Sequence, residues 1–354
     1  MKVAILNDTH AGARNSSDLF MHYQERFYRD VFFPYLLENG ITEIIHLGDY
    51  YENRKYINFK ALNHNRKIFL EKLREYGIHM TIIPGNHDVM YKNTNEVCAI
   101  KELHGYYTDC VDVIMEPTDI TFAGFTLGLI PWINQSNYDD TIDFLDNRTR
   151  ASWIGGHLEL SGFEMNKGVV QSHGMSAGLF KRFEQVITGH YHTKSSNGNI
   201  TYLGSQMEFN WSDCEDSKFF HVLDTETREL EPVRNPITLF DRIVYDDIEN
   251  DYNEYDATDH TNKFIKLIVK NKTDMRMYDS FVENLVLASC HDLKIIETFT
   301  EFLGDSIADD AVSIEDTGTL LNEYVDLVET DLDKERIKSI MRGLYVEAQN
   351  GDLL

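Results

Sequence analysis

The sequence predicts an α/β fold, on three observations. Short apolar runs alternate with longer helix-period stretches up to about residue 230. Glycines stop the helical stretches at Gly40 and Gly77 and close the third apolar run at Gly85. The ends of the first three runs recur at intervals of roughly 40 residues, room for a strand–helix–strand crossover. In order, residues 3–6 form a buried-type strand, and a helical stretch from Leu19 to Leu37 follows, stopped by Asn39-Gly40. Residues 43–47 are the second strand. A helix over 60–76 places Leu62, Phe69, Leu70 and Leu73 on one stripe and ends at Gly77. Residues 80–83 are the third strand, closed by Pro84-Gly85. Further strands are expected over 120–130, 152–154, 186–188, 200–203 and 219–223.

A first domain over 1–232 is followed by a change of character. Residues 246–260 are rich in Asp, Glu, Asn and Tyr, and a strand over 264–269 precedes a helix over 278–288. This suits a small second domain over 233–303. Residues 304–317 are polar, acidic and glycine-bounded, as in a linker. The segment 318–354 carries two amphipathic helices. Leu321, Tyr324, Val325 and Val328 line one, and Ile337, Ile340, Met341, Leu344 and Ala348 the other.

Of 354 residues 42% are hydrophobic, enough for a real core, so general disorder is excluded. The net charge of −26 argues against gripping nucleic acid with a broad basic face. The four cysteines include no C-x-x-C pair, which points to a reducing compartment without a thiolate zinc site. No apolar run approaches the ~18 residues of a membrane span. The start of the chain does not read as a signal peptide. A soluble, cytoplasmic protein with no membrane association is expected.

Five motifs sit just past strand ends: Asp8-Thr9-His10, Gly48-Asp49, Gly85-Asn86-His87-Asp88, Gly156-His157 and Gly189-His190-Tyr191-His192. Strand-end loops of an α/β sheet converge on one edge, where ligand sites form. The motifs deliver carboxylates, imidazoles and one amide, ligands for a borderline divalent metal, in a number too large for one ion. A two-metal arrangement accounts for all of them. One ion takes Asp8, His10 and His192, the other Asn86, His157 and His190, and Asp49 bridges. Two aspartates against two divalent ions leave positive charge that would attract a phosphodiester and activate water. His87, beside a ligand, is placed to protonate the leaving oxygen as general acid. Its ring needs a partner on the other nitrogen, for which Glu52 is the candidate. Asp88 is the alternative, though capping of the following turn suits it better. His157 is preferred to His173 because it follows the apolar Trp153-Ile154, whereas His173 lies in a polar loop. His22, His46, His64, His79, His104, His221, His260 and His291 lack such a setting and read as structural or exposed. Arg14, Arg54, Lys55 and Lys167 lie in loops beside the motifs and are candidate contacts for the phosphates of such a phosphodiester substrate.

The ordered series resembles the calcineurin-like metallophosphoesterase superfamily, and within it the SbcD family of double-strand-break repair nucleases, nearest to those of T-even-type phage. Gly48 to Lys55 (GDYYENRK), Gly85-Asn86-His87-Asp88, Leu129-Ile130-Pro131-Trp132, Gly156 to Phe163 (GHLELSGF), Lys167-Gly168 and Leu344 to Ala348 (LYVEA) carry the closer likeness. The resemblance implies a four-layer αββα sandwich and two divalent ions, Mn²⁺ ahead of Mg²⁺. The implied activities are 3′-to-5′ exonuclease on duplex ends and endonuclease on single strands. It also implies a capping domain, for which 233–303 is the match, and a helical C-terminal segment that docks on an SMC-like ATPase of the SbcC type. A homodimer through helices near 60–76 and 94–104 is a further implication, as is a host-cytoplasm location if the chain is phage-encoded. Many relatives carry His or Asp where this chain has Glu52. Two other readings are a phosphoesterase acting on a substrate other than DNA and an inactive scaffold for the ATPase. The helical tail speaks against the first, and the complete ligand set against the second.

Overall fold

The computed structural model describes residues 1–166, 169–171, 174–297, 334 and 336–338. Lys167, His173, the expected linker and nearly all of the segment 318–354 lie outside the described residues. Residues 1–209 with 213–241 form one compact unit, and 210–212 with 242 onward a second.

The first unit is built on two six-stranded sheets. In one the order is Leu230–Arg234, Phe219–Asp224, Lys2–Leu6, Glu43–His46, His79–Ile82, Val111–Val113. The last four of these run parallel. In the other the order is Ser195–Asn197, Ile200–Tyr202, Gln185–Gly189, Trp153–His157, Phe125–Ile130, Thr118–Phe122. Alternation along the strands makes the sandwich: Val3 and Ile5 pack with Ile45, Leu127, Leu129, Trp153, Ile187 and Leu223 in a core shared by both sheets. The outer face of the first sheet is covered by the helical stretches Asp18–Phe27 to Phe33–Glu38 and Phe59–Asn65 to Glu71–Tyr76. Their aromatics interlock, with Tyr28 and Phe69 ring centroids 4.7 Å apart and Phe32 meeting Phe220 of the sheet at 5.1 Å. Phe144, Leu145, Phe180 and Phe183 cover Ile154, Val186 and Ile200 on the far side. The result is the four-layer αββα sandwich. The parallel strands all end at the same edge, so their loops meet there.

Phe240–Asp246, which enters the second unit at Arg242, forms a sheet with Phe264–Asn271 and Asp292–Ile296 in that order. The helix Met275–Leu287 is capped by Asp274, whose carboxylate accepts the Arg276 and Met277 N–H groups at 2.9 and 3.2 Å. Tyr245, Tyr252, Ile265, Leu267, Phe281 and Leu285 form its core.

Three expectations need correction. The single strand over 120–130 is a hairpin, because Ala123 (φ 47°) and Gly124 (φ 88°) both turn left-handed, as a two-residue hairpin loop requires. The first unit continues to Asp241, past residue 232, since Leu230–Arg234 pairs with Phe219–Asp224. The stretch 94–104 is not one helix: Thr94–Cys98 is a strand paired with Val89–Tyr91, and only Ala99–His104 is helical.

His46, His104 and His221 are buried, and burial pushes each imidazole down to about 3. The unfolded chain takes up protons near pH 6.5 that the native chain refuses until about 3. Stability is therefore lost as pH falls through that window, by about 1.4 kcal/mol per pH unit for each histidine. Neither His221 ring nitrogen has a partner among the described residues. His221→Phe is expected to stabilise the protein by about 1–3 kcal/mol at neutral pH and to flatten its acid limb. Denaturant melts at pH 7 and 4.5 measure both effects.

Candidate metal centre

Four candidate ligands occupy left-handed backbone: Asp8 (φ 49°), His10 (φ 46°), Asp49 (φ 55°) and His190 (φ 93°). Such conformations cost of order 1–3 kcal/mol each and persist where the surrounding structure fixes them. Here they turn side chains inward just after strand ends. The approach of the loops is close: a Cβ on Gly85 would sit 2.1 Å from Asp49 Oδ1, and one on Gly48 would lie 2.6 Å from the Gly85 nitrogen. No larger residue fits at either position.

The structure brings all seven expected donors together. Asp8, His10 and His192 form one set and Asp49, His157 and His190 another. His10 Nε2 faces His192 Nε2 at 3.1 Å. Asn86 Oδ1 stands 3.0 Å from His157 Nε2 and 2.9 Å from His190 Nδ1. Asp49 Oδ2 lies between the sets, 3.2 Å from His157 Nε2 and 3.9 Å from His10 Nε2. Donors sharing an octahedral cation at about 2.1 Å stand about 3 Å apart along each edge, so these spacings suit divalent ions. His157 Nδ1 donates to the Leu47 carbonyl at 2.8 Å, which leaves Nε2 as the lone-pair nitrogen on the Asn86 side.

Electrostatics agree with cation binding. Burial disfavours a charged His157, but Asp49, Asp8 and the Leu47 carbonyl reverse this and raise it to about 9. His10 is likewise raised to about 9, because Glu52, Asp49 and Asp8 outweigh burial. Burial would raise Asp49, yet His157, His87 and His10 hold it well below the usual carboxylate range. The carboxylates draw positive charge into this pocket.

The profile of the calcineurin-like phosphoesterase family matches residues 1–194. The chain belongs to that family. Among curated proteins, exonuclease subunit 1 of Enterobacteria phage T4 is 31% identical over 351 residues, covering 98% of this chain and 99% of that protein. The SbcD component of the SbcCD nuclease of Escherichia coli K12 is 22% identical over 283 residues, covering 67% of this chain and 69% of that protein.

In this calcineurin-like phosphoesterase, His87 adjoins the donors without joining either pair. Its main-chain N–H donates to Asp49 Oδ1 at 2.8 Å, and its ring meets that of His10 edge-on at 5.0 Å. The partner of its other nitrogen is Glu52, as expected, and the group that makes the contact needs correction. His87 Nδ1 donates to the main-chain carbonyl of Glu52 at 2.7 Å, whereas the Glu52 carboxylate lies 2.8 Å from His10 Nδ1. Asp88 is corrected as well. It does not cap the following turn but accepts the N–H groups of Tyr50, Tyr51 and Gly85, clamping the Asp49 loop to the Asn86 loop.

Arg14 donates Nε to the Phe209 carbonyl at 2.9 Å and lies beside Glu52, and Arg54 is half-buried beside Asp49. Lys55 is exposed. Three further residues support the site without having been expected in it. Asn7 Nδ2 donates to Asp8 Oδ2 at 2.6 Å, and the Trp132 ring packs on His157 and His190. Buried Lys218 donates Nζ to the His192 carbonyl at 3.0 Å and is neutralised by Asp213 and Asp216. Asn7 precedes the first motif and could have been included with it; Lys218 could not be distinguished from a surface lysine.

Proposed function

We propose that the chain is a two-metal DNA nuclease, a 3′-to-5′ exonuclease on duplex ends and an endonuclease on single strands. The observation that carries this reading is the meeting of seven donors in two sets around Asp49, with His87 alongside, in a chain similar along its whole length to a phage exonuclease subunit. Asp8, His10 and His192 would hold one ion and Asn86, His157 and His190 the other, with Asp49 shared. Mn²⁺ suits this mixture of imidazole and carboxylate. The ions supply Lewis-acid charge for the phosphoryl oxygens and a nucleophile at neutral pH. The chain's own residues do the rest. Asp49 fixes the His87 main chain, and the Glu52 carbonyl orients the His87 ring for proton donation to the leaving oxygen. Arg14, Arg54, Lys55 and Lys167 would meet the DNA backbone.

The reading extends to partners. Both relatives are named as subunits, which supports work alongside a second protein, an SMC-like ATPase of the SbcC type docked by 318–354. The second unit, from residue 242 onward, would cap the DNA. A homodimer is supported by exposed Phe59 and Tyr106 beside a groove lined by Leu62, Leu70, Leu103 and Tyr107. No helix among the described residues is long and apolar enough to cross a membrane. Host cytoplasm is the location this reading assigns.

Mn²⁺-dependent release of nucleotides from linear duplex DNA, with no phosphate released from a phosphopeptide, is the expected result. Equal or faster phosphopeptide hydrolysis would overturn the assignment. With a net charge of −26, the chain alone should bind DNA weakly and lose that binding as salt rises from about 50 to 200 mM.

A further inference from the structure

We propose that Glu52 is the positioning residue of His10, its carboxylate fixing the Nδ1 side of that ring while its main-chain carbonyl separately fixes His87. The inference rests on the two-metal reading and deepens it. Its basis is the division of one residue between two imidazoles. Glu52 Oε2 lies 2.8 Å from His10 Nδ1, and the Glu52 carbonyl accepts His87 Nδ1 at 2.7 Å. With Nδ1 of His87 already satisfied by the main chain, the carboxylate is left to His10.

His10 has a particular need for such a partner. Its backbone is left-handed, and its ring packs edge-on against His87, His192 and Phe209, with centroids 5.0, 5.0 and 5.2 Å away. None of these contacts distinguishes Nδ1 from Nε2. A proton on Nε2 in place of Nδ1 would point at His192 and leave no lone pair for the donor set. The carboxylate, 2.8 Å from Nδ1, favours the proton on that nitrogen and leaves the Nε2 lone pair 3.1 Å from His192 Nε2, in the donor set with Asp8. Leu47 does the same for His157 with a main-chain carbonyl. At Glu52 the side-chain partner is 25% exposed, so it can be changed without opening the core.

The test uses the full-length chain with Mn²⁺ alone as probe, by titration calorimetry, on the wild type, Glu52→Ala, Glu52→Gln and His87→Ala. The wild type should take up two ions. Glu52→Ala should weaken one of them by about 10–100-fold and leave the other unchanged. Excess Mn²⁺ should then restore DNA cleavage by Glu52→Ala but not by His87→Ala. Glu52→Gln keeps the shape and guards against misfolding; it should weaken the same ion by a smaller factor. If both affinities are unchanged in both Glu52 variants and cleavage falls to the His87→Ala level at any Mn²⁺ concentration, the carboxylate serves His87 and the proposal is overturned. A wild type that takes up no Mn²⁺ is a separate result, which overturns the two-metal reading and this inference together.

Discussion

Asp49→Asn is expected to abolish DNA cleavage and to weaken uptake of both manganese ions, the broadest loss available from one atom exchange. Asp49 is buried, and its two oxygens have different tasks. Oδ1 accepts the His87 N–H at 2.8 Å, and Oδ2 lies between His157 and His10. Asparagine can keep the first contact but supplies no negative charge for the second. Two divalent ions would then share a single aspartate, Asp8, and several kcal/mol of electrostatic stabilisation would go with the missing charge, roughly 10³-fold or more in rate. Calorimetry with Mn²⁺ and cleavage of linear duplex DNA measure the two losses. Retention of both ions at wild-type affinity would remove Asp49 from the shared position.

His87→Ala should behave oppositely, keeping both ions and losing turnover. The contact from residue 87 to Asp49 is made by the main chain, which alanine preserves. Only the imidazole is lost, and with it proton donation to the leaving oxygen, worth roughly 10²–10⁴-fold in kcat. The leaving group provides the control. A p-nitrophenyl phosphodiester expels an anion that needs no proton, so the variant should lose far less on it than on DNA. An equal loss on both substrates would mean that His87 stabilises charge on the phosphate rather than delivering a proton.

The parts of the site legible in the sequence were those set by short-range chemistry. A glycine or left-handed residue after an apolar strand, followed by a ligand-type side chain, is a local pattern, and five of them in order led to the seven donors. The two corrections concern choices made by tertiary structure. Glu52 stands within reach of two imidazoles, and only the path of the 50–54 loop determines which receives the carboxylate and which the carbonyl. Asp88 looks like a turn cap because its partners at Tyr50 and Tyr51 belong to a loop 38 and 37 residues earlier. In the fold, central strands were readable because they are continuous apolar runs, whereas edge strands such as Val111–Val113 and Ser195–Asn197 are short and partly exposed. The hairpin at Ala123-Gly124 was hidden because alanine gives no signal for the left-handed conformation it adopts.

The donors draw on both layers of the sandwich. Asp8, His10, Asp49 and Asn86 follow strands of the first sheet, whereas His157, His190 and His192 come from the second. Any cation bound there acts as a rivet through the stack, resisting shear between two sheets whose shared core is apolar. Occupancy at a hundredfold excess over the dissociation constant adds about 2.7 kcal/mol per ion to the folded state. The atoms that would do the chemistry therefore also lock the scaffold, so loading the site and tightening the sandwich are one event.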